Sequence, residues 1–257
     1  MGGPETARRR ASGAGGHDFM LKIFLVTILV LFLIFVAGAL CGLTDMHFHK
    51  RFRPSRTHVA CVGDSVTYGC KLPGAFWRNY PAKLQKRLGE RYHVENFALS
   101  DRCVQESANK PYRAYRSFQD SKNFQPDIVV IELGANDAKD INWQTPDEFR
   151  YQYISLVQDY RELPEHPEVV LCTPTAAFQK LIKSQKPYVL TISLDVLREI
   201  AEIVREVGEE LELPVVDLYT KTQEHPEWFL FDGLHPNGKG CKVIAEEVFQ
   251  EIIKFVK

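Results

Sequence analysis

The fold of this chain is constrained most by a series of short apolar runs with helical segments between them. The runs cover residues 58–62, 92–97, 128–133, 169–172 and 215–218. Such short, nearly continuous apolar runs are typical of strands buried on both faces of a parallel sheet. Between and after them, apolar residues recur at helical spacing in 197–211 and 241–256. This alternation predicts an α/β fold with five parallel strands and right-handed crossovers.

The first apolar run ends at Gly63-Asp64-Ser65. This order places Ser65 at the carboxyl end of a strand, which is the edge where open α/β sheets carry their reactive groups. A serine hydroxyl is a poor nucleophile unless a base takes its proton. His235 is the predicted base, because Asp232 stands three residues before it and can fix its tautomer and stabilise its imidazolium form.

A third motif, Gly134-Ala135-Asn136-Asp137, follows the apolar run 128–133. An asparagine at the end of a strand can donate a hydrogen bond to the oxyanion that forms during ester hydrolysis. With Ser65 and His235 on neighbouring loops, this motif predicts a serine hydrolase. For Asp64 and Asp137, which adjoin these positions, we expect loop hydrogen bonding rather than catalysis.

Over residues 57–256 the chain resembles the SGNH or GDSL hydrolases. Ser65 matches the family's Gly-Asp-Ser nucleophile block, Asn136 its Gly-x-Asn-Asp block, and Asp232 with His235 its Asp-x-x-His block. The resemblance implies a flavodoxin-like three-layer sandwich around a five-stranded parallel sheet. It also implies hydrolysis of esters by a Ser-His-Asp triad, without a metal or a cofactor.

One block departs from the family pattern. The family has Asn-x-Gly-x-Ser-Gly where this chain has residues 96–101, so Ala98 and Asp101 replace the two glycines. The resemblance implies an oxyanion hole formed by the backbone N–H groups of Ser65 and Asp101 and the side chain of Asn136. The Asp101 carboxylate would bring negative charge close to this hole, unless Arg102 neutralises it or the side chain points away.

The amino-terminal part of the chain is read as a membrane anchor. Residues 23–43 form an uncharged apolar run of 21 residues, and about 20 helical residues cross a bilayer. The sequence thus predicts a basic tail (1–22), a transmembrane helix (23–43), a linker (44–56) and the hydrolase domain (57–257), which would lie outside the cytoplasm. The alternative is a signal peptide cleaved near Ala37-Gly38-Ala39.

Composition bounds the partners of this domain. The formal net charge of −1 gives no reason to expect a nucleic acid partner. The chain has no Cys-x-x-Cys pair, so a structural zinc site is not expected. Cys70 and Cys103 fall in loops at the same predicted edge of the sheet, where a disulfide is one alternative and two thiols are the other.

The predicted function is that of a membrane-anchored serine esterase acting on small acyl esters, above all acetyl esters. The substrate is expected to be a small-molecule or carbohydrate ester, because several stretches look like bacterial carbohydrate O-acetylesterases of the family. The alternatives are a lysophospholipase or thioesterase, an acyltransferase to a sugar hydroxyl, and a non-catalytic binding domain.

Overall fold

The computed structural model describes residues 14–40, 56–178 and 192–255. Five parallel strands form one sheet in the order β2-β1-β3-β4-β5. They are β1 (Thr57–Gly63), β2 (Tyr92–Asn96), β3 (Ile128–Glu132), β4 (Glu168–Cys172) and β5 (Val215–Val216). This is the flavodoxin-like strand order, and the predicted five-stranded parallel sheet is confirmed.

Nine helices are described along the chain. They are α1 (Ala14–Leu40), α2 (Ser65–Tyr68), α3 (Ala75–Arg78), α4 (Tyr80–Leu88), α5 (Arg116–Asn123), α6 (Pro146–Arg161), α7 (Leu194–Glu210), α8 (Leu218–Thr222) and α9 (Gly238–Ile252). Local signals explain several of their ends. At α6, for example, the Thr145 side chain accepts a hydrogen bond from the Glu148 N–H, and a proline follows at the first helical position.

Two hydrophobic clusters cover the two faces of the sheet. Strand residues alternate between them, since Ala60 and Val62 pack with α5, α6 and α7, whereas Val59 and Cys61 pack with α4 and α9. The alternation arises because successive side chains of a strand point to opposite faces. The domain is therefore a three-layer sandwich, as the sequence predicts.

The strand order reverses at β1, which has β2 on one side and β3 on the other. Ligands of open α/β proteins bind in the crevice at such a switch point, outside the carboxyl ends of the strands. Gly63 ends β1 at this crevice, and a Cβ there would collide with the Thr67 side chain and the Glu132 carbonyl oxygen. A side chain at this position would therefore push the turn that carries Ser65 away from β3.

The amino-terminal helix α1 runs Ala14–Leu40 and overlaps both the predicted tail and most of the predicted span. Its side chains from residue 20 to 34 are exposed. Among the residues that the structure describes, no helix meets the combined length and apolarity needed to cross a membrane. The predicted transmembrane helix over 23–43 is thus not supported by the structure. Residues 1–13 of the predicted tail, 41–43 of the predicted span and all but the last residue of the predicted linker 44–56 lie outside the described residues.

Candidate active site

Ser65 is the first residue of α2, directly after the end of β1. The Asp64 side chain caps this short helix by accepting a hydrogen bond of 2.9 Å from the Val66 N–H. At the other end of α2, the N–H groups of Gly69 and Cys70 donate to the Ser65 carbonyl oxygen over 3.1 and 2.9 Å. Both ends of the turn are thereby fixed, and the Ser65 side chain lies in the crevice with 8% of the residue exposed.

Asp232 and His235 lie on one tight turn. The turn is closed by hydrogen bonds from Leu230 N–H to the His235 carbonyl oxygen (2.8 Å) and from Gly233 N–H to the Leu230 carbonyl oxygen (2.9 Å). Gly233 has a φ of 67°, a left-handed conformation that glycine adopts without strain. The turn thus folds the chain back so that the Asp232 carboxylate faces the His235 ring.

A chain of hydrogen bonds links this turn to Ser65. Asp232 Oδ2 lies 2.7 Å from His235 Nδ1, and His235 Nε2 lies 3.0 Å from Ser65 Oγ. Asp232 Oδ1 also accepts the His235 backbone N–H over 3.0 Å. When Nδ1 donates to the carboxylate, the lone pair of Nε2 faces the serine hydroxyl and can accept its proton. The structure therefore brings the three predicted residues into contact.

A lysine that the sequence analysis did not single out also contacts this group. Lys71 Nζ lies 2.9 Å from Asp232 Oδ2. Burial raises the pKa of Asp232, but the His235 N–H groups and the Lys71 ammonium outweigh it and hold this pKa well below its usual range. Asp232 is consequently a carboxylate at all moderate pH values.

Asn136 lies on the other side of Ser65, after β3. Its Nδ2 donates to Asp64 Oδ2 over 2.9 Å and to the Arg102 carbonyl oxygen over 3.2 Å. The Asn142 side chain in turn donates to the Asn136 carbonyl oxygen over 2.8 Å. Since an amide nitrogen carries two hydrogens, both are engaged, and an oxyanion would have to take over one of them.

Three buried carboxyl groups support this side of the crevice. Asp64 and Asp137 are fully buried, which raises the pKa of each to about 6, although both accept backbone N–H groups that lower it. Asp137 accepts the N–H groups of Val104 and Gln105 and so holds the preceding loop against Asn136. Both acids therefore have the loop-bonding role expected from the sequence.

The third of these groups, Glu132, ends β3 beneath the Ser65 turn. Its Oε2 accepts a hydrogen bond of 2.7 Å from the Thr67 hydroxyl. Burial raises the pKa of Glu132 well above its usual value, and the nearby Asp64 raises it further. Glu132 is therefore a buried acid bonded to α2.

Asp101, which replaces the family glycine, has a φ of 65°. Left-handed backbone of this kind is what a glycine adopts most easily. The carboxylate contacts Lys139 Nζ at 2.8 Å and Lys110 Nζ at 3.1 Å. Partial burial raises the pKa of Asp101, but these ammonium groups outweigh it and lower the pKa to about 2. The negative charge is thus paired with two lysines.

Arg102 does not neutralise Asp101, so that alternative of the sequence analysis is wrong. Its guanidinium donates to the Ser100 carbonyl oxygen over 2.7 Å and lies over the Tyr115 ring, 3.7 Å from the centroid.

Cys70 and Cys103 carry thiols and form no disulfide with each other. Cys103 instead accepts a hydrogen bond of 3.3 Å from the Asn142 side chain.

Sequence comparison identifies a family and relatives to which this chain is similar. A profile of the GDSL-like Lipase/Acylhydrolase family matches residues 61–243, which include all the site residues described above. An acetylxylan esterase of Xylanibacter ruminicola is 34% identical over 205 residues, covering 73% of this chain and 41% of that protein. This chain therefore spans less than half the length of that relative.

Solved structures share the fold. A lipase/acylhydrolase from Enterococcus faecalis superimposes with a TM-score of 0.64 at 24% identity, covering 78% of this chain and 97% of the other. A carbohydrate acetylesterase from Sinorhizobium meliloti gives a TM-score of 0.61 at 18% identity, covering 77% and 99%. At these identities, the likeness establishes the fold.

Proposed function

We propose that this chain, which belongs to the GDSL-like lipase/acylhydrolase family, is a serine esterase that uses Ser65, His235 and Asp232 as a catalytic triad. The observation that carries the proposal is the pair of contacts from Ser65 Oγ to His235 Nε2 (3.0 Å) and from His235 Nδ1 to Asp232 (2.7 Å). These distances lie within hydrogen-bond reach, which is the first requirement for a nucleophile and its base.

In the proposed reaction, Ser65 Oγ attacks the ester carbonyl carbon while His235 Nε2 takes the hydroxyl proton. The Asp232 carboxylate stabilises the resulting imidazolium. His235 then returns the proton to the leaving alcohol oxygen as the carbon–oxygen bond of the ester breaks. A water molecule, deprotonated by His235, attacks the acyl-serine, and His235 returns that proton to Ser65 Oγ as the bond to the acyl group breaks and the acid leaves.

The oxyanion is proposed to be held by the backbone N–H groups of Ser65 and Asp101 and by the Asn136 amide. Preorganised donors of this kind stabilise the tetrahedral intermediate. Because Asn136 Nδ2 already donates to Asp64 and to the Arg102 carbonyl oxygen, it would exchange one of these bonds for the oxyanion. The longer bond to Arg102, 3.2 Å, is the one we expect to yield.

The proposed substrates are short acyl esters, acetyl esters of carbohydrates above all. The support is the 34% identity to an acetylxylan esterase and the shared fold with a carbohydrate acetylesterase. Lysophospholipase or thioesterase activity would require preference for a long acyl chain. Transfer of the acyl group to a sugar hydroxyl would require an acceptor that displaces water from the acyl-enzyme.

A fluorophosphonate probe tests the nucleophile directly. We expect the probe to label native protein at Ser65, and heat-denatured protein to remain unlabelled, because labelling needs the folded contact with His235. Hydrolysis of p-nitrophenyl acetate should exceed that of p-nitrophenyl octanoate, and acetylated xylan should release acetate. Failure of native protein to be labelled would favour a non-catalytic binding domain, and acylated sugar products would indicate a transferase.

Attachment to a membrane remains a proposal from the apolar residues 23–43. We expect the full chain to sediment with membranes after a high-salt wash and a chain beginning at Arg53 to remain in the supernatant with its esterase activity. A mature chain beginning near Leu40 would instead identify a cleaved signal peptide.

A further inference from the structure

Lys71 lies on a turn that is fixed to the backbone of Ser65. The Cys70 N–H donates to the Ser65 carbonyl oxygen over 2.9 Å, and the Leu72 N–H donates to the Gly69 carbonyl oxygen over 3.1 Å. Leu72 is buried in the core, with 1% of the residue exposed. The backbone on both sides of Lys71 is therefore held in place relative to Ser65.

The backbone of Lys71 is itself unusual, with a φ of 60°. Residues other than glycine, asparagine and aspartate rarely adopt this conformation, and such outliers persist where the surrounding structure imposes them. Here the conformation accompanies a directed contact, because the ammonium reaches a carboxylate that is 161 residues further along the chain. A glycine would suit the backbone better but could not make that contact.

The contact is made to the oxygen that also binds the histidine. Asp232 Oδ2 lies 2.9 Å from Lys71 Nζ and 2.7 Å from His235 Nδ1. The Asp232 side chain is 4% exposed and that of Lys71 31% exposed, so solvent screens this group only in part. The ammonium and an imidazolium therefore compete for the same negative charge and repel each other.

We propose that Lys71 is a positioning residue that acts through the shared Asp232 carboxylate on the charge of the His235 ring. This role rests on the proposed function, in which His235 must be neutral in order to accept the Ser65 proton. By sharing the carboxylate, the ammonium opposes protonation of the ring in the resting enzyme. The effect is to extend esterase activity towards lower pH.

Other charges act on the same ring. Asp64, before α2, interacts electrostatically with His235, and its negative charge favours the imidazolium. Asp137 and Lys139 lie behind Asp64 and act on that carboxyl with opposite signs. Lys71 thus counteracts both Asp232 on the histidine's own turn and Asp64 from the neighbouring loop.

The experiment is the pH dependence of kcat/KM for p-nitrophenyl acetate, measured for the native full chain and three variants. Lys71→Met removes the charge and keeps the length, Lys71→Arg keeps the charge, and Lys221→Met is the matched control. Lys221 also pairs with an acid, Glu247, at 2.7 Å, in a more exposed ion pair between α8 and α9. The rate of fluorophosphonate labelling of Ser65 at the same pH values gives a second readout that does not depend on substrate binding.

In Lys71→Met we expect the acid limb of the profile to move about one pH unit higher, the size of one partly screened charge a few ångströms away. At pH values below the native midpoint, kcat/KM and labelling should both fall by up to about tenfold, with the alkaline plateau within about threefold of native. Lys71→Arg and Lys221→Met should keep the native midpoint.

An unchanged midpoint in Lys71→Met would overturn this role, as would an equal shift in Lys71→Arg, which would assign the effect to shape and not to charge. A lower plateau without a shift would identify Lys71 as a structural support alone and would also overturn it. Failure of the proposed function looks different, because native protein would then show neither Ser65 labelling nor ester hydrolysis.

Discussion

On the two sides of Ser65, the pKa values of buried carboxyl groups are shifted in opposite directions. On the side of the base, Asp232 contacts an imidazole and an ammonium, and its pKa lies well below the usual range despite burial. On the oxyanion side, burial raises the pKa of Asp64 to about 6. Asp64 contacts neutral donors, the Val66 N–H and the Asn136 amide. The two acids are both buried, so the difference in their partners accounts for the opposite directions of their pKa shifts.

The two sides also differ in whether the hydrogen bonds that the proposed reaction needs are already formed. The hydrogen bonds from Asp232 through His235 to Ser65 are formed in the free protein. On the oxyanion side, both hydrogens of the Asn136 amide are already donated to protein oxygens. In the proposed mechanism the base is thus preorganised, whereas Asn136 would have to release one of its hydrogen bonds before it could donate to an oxyanion.

Removal of the nucleophile should have the largest effect. Ser65→Ala should lower kcat/KM for small esters by at least about 1,000-fold, because members of a triad act as a unit. His235→Ala should cost nearly as much, and the double variant little more. Thermal unfolding serves as the control and should change little. Substantial hydrolysis by folded Ser65→Ala would rule out the mechanism.

Asn136 should rank second. Asn136→Ala should lower kcat by about 100-fold with a small change in KM, since one lost oxyanion donor costs about 2.7–4 kcal/mol. The matched control is Asn142→Ala, which removes the hydrogen bond to the Asn136 carbonyl oxygen but leaves the Asn136 amide in place. Equal losses in the two variants would mean that Asn136 acts by shaping the loop and not as a donor.

A third prediction concerns stability and pH. The pKa of Glu132 is raised by burial, so the folded state keeps a proton that the unfolded chain loses above about pH 4.3. Its stabilising contribution is complete below that pH and is lost as the pH rises through the folded-state pKa. Glu132→Gln stays neutral and keeps an oxygen for Thr67. The thermal unfolding midpoint of Glu132→Gln should therefore rise relative to that of the native protein as the pH is raised.

The measurement is the midpoint difference between Glu132→Gln and native protein at pH 4, 6 and 8. We expect the difference to increase by a few degrees over this range. A difference that stays constant would show that Glu132 carries a charge in the folded state. On the side of the base the sign is opposite, because the lowered pKa of Asp232 means that its contribution is lost as the pH falls.

Asp101 should give the smallest effect. Asp101→Gly relieves the left-handed backbone but removes two solvent-exposed ion pairs, which are worth little individually. We expect kcat on acetyl esters to stay within about threefold of native, far from the 100-fold cost of a lost oxyanion donor. Asp101→Asn, which removes the charge but tolerates the same φ, should behave alike. A 100-fold fall in kcat in both variants would show that the Asp101 carboxylate maintains the structure of the oxyanion hole.

The sequence predicted the strands and the local motifs with small errors at their ends. The first strand was expected over 58–62 and runs Thr57–Gly63. The predicted transmembrane helix over 23–43 is not supported. The catalytic roles of Ser65, Asp232 and His235 remain predictions, now with a geometry that can be tested.

The sequence by itself determined the features that depend on short stretches of neighbouring residues. Apolar periodicity depends on burial alone. The Gly63-Asp64-Ser65 and Asp232-x-x-His235 turns are held by local hydrogen bonds, in which the Asp64 and Asp232 side chains accept N–H groups from residues two or three positions further on. The fold and the choice of candidate site residues follow from such patterns. Only the tertiary structure decided which charged side chains pair with one another. Lys71 reaches Asp232 across 161 residues, and Asp101 pairs with Lys139 and not with its neighbour Arg102. Such contacts depend on how loops from different strands pack at one edge of the sheet, and no linear spacing specifies that packing.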